Sequence, residues 1–150
     1  MQIVQMNETE CREVLSRASL AHLGCSFNDE PYVIPILIAY ESDYIYVFST
    51  FGKKIKWMRS NPKVCVQVGE SKDRSNWASV IVNGEFQELA EPQFTDERDH
   101  ARRLLEKRHQ WWLNALAERR NQLVDQEIKP IFFRIHANSI TGLRATSEGQ

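Results

Sequence analysis

No charge of one sign dominates this chain. Its 19 lysines and arginines meet 20 aspartates and glutamates, and the two signs are interspersed. A generic nucleic-acid binder carries a basic excess, so that class is excluded. No apolar run approaches the roughly 20 residues that a membrane-spanning helix needs. The N-terminus, MQIVQMNETE, turns polar too soon for a secretory signal. Disulfide chemistry is missing as well. Cys11, Cys25 and Cys65 are odd in number and widely spaced, with no CxxC, which fits a reducing cytoplasm. The four histidines (His22, His100, His109 and His136) show no HxxxH spacing and no neighbouring cysteine, so no metal site is expected. His22 lies in an apolar stretch and reads as a core residue. There is no GxSxG elbow, Walker loop or GxGxxG loop, and no nucleophile with a base beside it. No pair of carboxylates stands out, so no catalytic residue is assigned. If the protein is an enzyme, its reactive chemistry belongs to a bound cofactor.

What is present is a β-rich chain of 150 residues. That length predicts one domain, residues 1–150, able to bury roughly 70% of its unfolded surface. Asn7 followed by Glu10 predicts a capped helix over residues 8–17, so the Asn7-Glu8-Thr9 sequon is read as a helix start. Strands are expected over residues 18–27, 32–40, 44–48, 64–68, 77–89, 131–135 and 140–144. The 32–40 strand, YVIPILIAY, is apolar almost throughout. It is expected to be buried on both faces, or covered on one by a ligand or a partner. Pro35 in its middle cannot donate to a ladder, which predicts an edge or a bulge there. Gly84 predicts a second bulge. Polar loops are expected over residues 69–76 and at Asn138-Ser139. A helical apolar stripe runs over residues 93–123, with a break near His109-Gln110.

The most informative stretch is residues 44–68, YIYVFSTFGKKIKWMRSNPKVCVQV. A strand ends on two hydroxyls, Ser49 and Thr50. Phe51-Gly52 turns the chain, with glycine free to take a left-handed backbone. Lys53-Lys54 opens a short helix that Ser60-Asn61-Pro62 stops. Two readings fit. Hydroxyls, a helix N-terminus and two ammonium groups suit a phosphate. The same stretch also suits a plain strand-turn-helix whose lysines face water. Hairpin-like succession of the strands predicts antiparallel β structure with peripheral helices, closed into a barrel.

Four pieces in order, PYVIPILIAY, IYVFST with GKKIKWMRSNPKVCVQV, WASVIVNGEFQEL and FFRIHANSITGLRA, resemble the pyridoxamine 5'-phosphate oxidase-related split-barrel flavoproteins. The nearest branch is the one that includes the nitroimidazole-resistance proteins. The resemblance implies a six-stranded antiparallel split barrel, mainly β, that forms a homodimer and holds FMN at the subunit interface. It places the phosphate at Phe48, Ser49, Thr50, Lys53 and Lys54. It places the ring along Val33, Ile34, Pro35 and Ile36, with Ser79 reaching in from the partner subunit and Trp77 on the same strand face. The pattern departs from the oxidases that act on vitamin B6. Arg134-Ile135-His136 sits inside a strand, and the terminal Arg-x-His that grips substrate phosphate is absent. Leu143 stands where the oxidases place a tryptophan, and Val33 lies near where they carry a basic residue. Vitamin B6 oxidation is therefore not expected. What the resemblance implies instead is an FMN-dependent oxidoreductase acting on a small molecule, with NAD(P)H a candidate reductant. The alternatives are a flavin or haem carrier or sensor, and a dimeric scaffold holding an unrelated phosphate. Trp111-Trp112 reads as core or dimer packing, or as a cover over the flavin supplied by Trp111.

Overall fold

A computed structural model of the chain describes the backbone of residues 1–122 and 130–147, and the side chains of residues 1–109 and 130–147. The elements follow in order: β1 (Gln2–Gln5), α1 (Glu8–Arg17), β2 (Leu20–Phe27), β3 (Glu30–Glu41), β4 (Tyr44–Thr50), α2 (Lys53–Ser60), β5 (Lys63–Asp73), β6 (Asn76–Glu88), α3 (Thr95–Gln122) and β7 (Pro130–Thr146). The strands pair antiparallel in the order β1-β7-β4-β3-β2-β5-β6, and β6 also pairs with β7. The last pairing closes six strands into a ring, with β1 added beside the end of β7. Closure removes most of the unpaired edges that an open sheet would leave. Among the described residues no helix is long and apolar enough to cross a membrane.

Alternation decides what faces inward. Ala21, Leu23 and Cys25 of β2 point into the ring with Val64, Val66 and Val68 of β5 and Val80 and Val82 of β6. Met6 and α1 (Cys11, Val14, Leu15) complete that core, together with Ile55 and Met58 of α2. Asn7 caps α1 as expected. Its Oδ1 accepts from the Glu10 N–H at 2.8 Å, and the Glu10 carboxylate accepts from the Asn7 N–H at 3.1 Å. A smaller core lies on the opposite face of β3, β4 and β7, where Ala39, Tyr46 and Phe132 meet Leu89, Ala101 and Leu105. α3 breaks at His109, where φ −133° and ψ 38° leave the helical region. The buried imidazole Nε2 donates to the Ile38 carbonyl at 2.7 Å, just past the end of the β2–β3 ladder.

Several expectations need correcting. His22 is not a core residue. It shares the outward parity of Leu20 and Gly24, and it is exposed between Pro35 and Gln67. The β3 strand is not buried on both faces within the chain, since Val33 is 65% exposed and Pro35 is open to solvent. The loop expected over residues 69–76 is a hairpin tip. β5 runs on to Asp73, whose carboxylate accepts from the Ser75 N–H at 2.8 Å and from Asn76 Nδ2 at 2.9 Å. The two strands expected after residue 130 are one strand of 17 residues. Its register against β6 passes from Asn83↔Ser139 to Gly84↔Ala137, so the turn-like Asn138 is the extra residue of a bulge opposite Gly84. Gly52 is extended at φ −176°, so its left-handed freedom is not used. The short β1 had no sequence signal strong enough to mark it.

Candidate functional site

β3 and β4 form a ladder only from Ile38↔Val47 to Glu41↔Tyr44. Beyond it the two strands part. Residues 30–37 of β3 stay with β2, while Phe48, Ser49 and Thr50 of β4 stay with β7. Pro35 falls in the parted half. Ile38 donates its N–H toward β2, to Ser19 O at 2.9 Å. Strand alternation then aims the Pro35 nitrogen at the open side, where no ladder bond is lost. The expected edge at Pro35 is therefore a local one, made by the splitting of the ring.

The parting strands leave a cavity of about 420 Å³. Leu20, Pro35, Ile36 and Leu37 line its β2–β3 side, and Phe48, Ser49 and Thr50 its β4 side. Lys54, from the first turn of α2, closes it. The α2 N-terminus carries no side-chain cap, and its first internal bond runs from Lys56 N–H to Gly52 O at 3.1 Å. The N–H groups of Lys53, Lys54 and Ile55 thus have no acceptor inside the helix. Lys54 is half-buried, and burial pulls its pKa below the ordinary lysine value, with the nearby Cys25 opposing. Among the described residues it has no ion-pair partner. The Ser49 hydroxyl is buried and donates to Thr50 O at 2.9 Å. A half-buried ammonium, an uncapped helix N-terminus and two hydroxyl-bearing side chains beside an apolar wall fit a phosphorylated ligand that carries an apolar ring.

The structure thus brings Pro35, Ile36, Phe48, Ser49, Thr50 and Lys54 together. The other expected site residues lie elsewhere. Ile34 packs on the main core, and Val33 faces outward on a neighbouring groove with Gly24 and Cys65. Lys53 Nζ sits 4.4 Å from the Tyr32 ring centroid and 4.5 Å from that of Trp57. On β6, Ser79 Oγ accepts from Gln67 Nε2 at 3.1 Å, and Trp77 lines a separate groove with Arg144. The Trp111 and Trp112 side chains lie outside the described residues. Leu20 and Leu37 were missed by the reading of the sequence, although they face each other across the β2–β3 register beside Pro35. The described residues hold no cluster of metal-ligating side chains. Burial raises the pKa of both Cys11 and Cys25, which argues against a reactive thiolate at either.

A family model described as pyridoxamine 5'-phosphate oxidase matches residues 7–144. The chain belongs to the pyridoxamine 5'-phosphate oxidase family. An uncharacterised protein of Rhizobium meliloti is 40% identical over 146 residues, covering 97% of this chain and 96% of the relative. Among solved structures of this fold, an FAD-binding protein of Mesorhizobium loti has 35% identity and a TM-score of 0.80, with 98% of this chain and 99% of that one covered. A candidate 5-nitroimidazole antibiotic resistance protein of Bacteroides thetaiotaomicron has 15% identity and a TM-score of 0.67, covering 96% of this chain and 89% of that one. The latter likeness establishes the shared split-barrel fold of the family.

Proposed function

We propose that the wedge between β3 and β4 holds the phosphate of a flavin, FMN in the first place, and that the protein is an FMN-dependent oxidoreductase acting on a small molecule. The observation that carries this reading is Lys54, a half-buried ammonium without an ion-pair partner among the described residues, set at an uncapped helix N-terminus beside Ser49 and Thr50. One ammonium and one helix N-terminus match one phosphate group. The apolar side of the wedge, Pro35 and Ile36, suits the ring of the same ligand. The FAD-binding relative of Mesorhizobium loti supports a flavin, and FAD contains the same ring, ribityl chain and first phosphate.

A bound flavin supplies hydride and electron transfer at its ring, and the chain's own residues bind and orient it. Among the described residues Lys54 is the only titratable side chain lining the wedge, which agrees with redox chemistry carried by the ring. A non-catalytic flavin carrier is the second reading on the same ground. Haem fits the wedge less well, because among the described residues no His, Met or Cys lines it to serve as an axial ligand. We place a second copy of the chain on the outer sheet face. Leu20, Val33, Ile81 and Leu143 share that face and are exposed. A partner seated there would bring its Trp77 and Ser79 strand toward the ring. One flavin-binding domain, a cytoplasmic homodimer and NAD(P)H as reductant complete the reading.

The test is an absorption spectrum of the purified protein, taken alone and with FMN or FAD, and then with NADH or NADPH under nitrogen. Flavin bands that bleach with reductant support an oxidoreductase. Bands that persist favour the carrier, and a Soret band would move the assignment to haem. No bound chromophore and no flavin uptake would refute the flavin site.

A further inference from the structure

We propose that the adjacent lysines opening α2 do different work: Lys54 alone binds the phosphate, and Lys53 is a positioning residue that fastens the first turn of α2 to β3 by lying against Tyr32 and Trp57. The inference rests on the flavin reading above and divides the labour within it. Successive residues of an α-helix point about 100° apart, so neighbours in sequence do not share a target. Lys54 takes the direction of the wedge, beside Ser49 and Thr50. Lys53 takes the other. Its ammonium lies 4.4 Å from the Tyr32 centroid and 4.5 Å from the Trp57 centroid, inside the range of cation–π attraction.

The two rings belong to different elements. Trp57 is one helical turn beyond Lys53, and Tyr32 lies on β3. They meet edge to face at 5.6 Å, and Phe27 at the end of β2 stands 6.0 Å from Trp57. The ammonium therefore joins the start of α2 to the β2–β3 hairpin. That same first turn carries the N–H groups that have no acceptor inside the helix, next to Lys54 of the wedge. For Lys53 to reach the wedge it would have to leave both rings. Its contribution to the ligand is then indirect, through the aim of the helix N-terminus.

The experiment compares FMN with riboflavin, which lacks the phosphate, in the full-length protein and in K54A, K53A and K53R. The ratio of the two affinities isolates the phosphate. In K54A the ratio should fall about tenfold or more, the loss expected for a charge-assisted bond, with riboflavin affinity kept. In K53A the ratio should fall less than in K54A, because a misaimed helix N-terminus weakens its hold on the phosphate while Lys54 keeps its charge there, and riboflavin affinity should hold. The melting temperature of ligand-free K53A should drop by a few degrees. K53R should restore both properties, since a guanidinium stacks on the same rings. A ratio that falls in K53A as it does in K54A would overturn the division, and so would a ratio unchanged in K54A. An unchanged melting temperature in ligand-free K53A would overturn the clamp by itself. If the parent protein binds neither ligand, the flavin reading fails together with the assignment of Lys54.

Discussion

Replacing Gly52 with aspartate should make the protein more stable and a worse flavin binder at once. Gly52 is the N-cap of α2, extended at φ −176° and ψ −167°, a backbone open to any residue. A Cβ built there meets nothing within 4 Å. An aspartate carboxylate at that position accepts from the unpaired N–H groups of the first turn and faces the positive end of the helix dipole. Together these contribute about 0.5–1 kcal/mol. For a chain of this size that raises the melting temperature by roughly 1–4 °C. The same carboxylate takes the N–H groups that a phosphate would use. Two unit negative charges about 5 Å apart repel by roughly 3 kcal/mol at an effective dielectric of 20. Screening by salt lowers this to about 2 kcal/mol, or ~30-fold in affinity. Gly52→Ser, a neutral cap without the charge that faces the dipole, should keep only about a few tenths of a kcal/mol of the gain, with a much smaller loss of affinity. Thermal unfolding without ligand and fluorescence titration with FMN measure the two effects. A G52D protein that melts higher and binds FMN unchanged would show that the phosphate lies elsewhere.

Two further outcomes follow from the geometry. Because burial holds the Lys54 pKa below the ordinary lysine value, the charged form that attracts phosphate is lost earlier than usual as pH rises. FMN affinity should be flat near neutrality and fall in the alkaline range before 10.5, the ordinary lysine value, while K54R should stay flat through that range; a wild-type titration as flat as that of K54R would refute the role of Lys54. Gly84→Ala should destabilise the fold by about 1–3 kcal/mol or more in thermal or urea unfolding, because a Cβ there overlaps the carbonyl of His136 and crowds Ile135. An unchanged unfolding midpoint would show that the bulge relaxes freely.

Local rules were legible where one residue settles the matter. Asn7 with Glu10 marks the first helix, Pro62 and its neighbours stop the second, and Pro35 announces a strand with a free side. The break at His109 could also be seen, though the buried bond to Ile38 that accompanies it joins residues 71 positions apart in sequence. What was not legible depends on partners. Asn138-Ser139 has the composition of a turn, and only the register with β6 turns it into a bulge. His22 looked buried because its neighbours are apolar, yet parity with Ala21 and Leu23 already put it outside. Adjacent letters do not display the angle between the two lysines, which the helix turns so that Lys54 lines the wedge while Lys53 lies against Tyr32 and Trp57. β1 is four residues long and exposed throughout, so it exists only as an addition to β7.

That last strand has a consequence for how the molecule is made. β7 pairs with β4 along its first half, with β1 along its end, and with β6 through most of its length. Every one of those pairings joins it to an element synthesised earlier. Until β7 arrives, the ring is an open sheet whose β4 and β6 edges are exposed, a form that invites pairing between chains. The helix α3 precedes β7 and packs across β3 and β4. It shields one face of the unfinished sheet while leaving both edges free. Conditions that slow the arrival or docking of β7 should therefore cost soluble yield before they cost the stability of the finished protein.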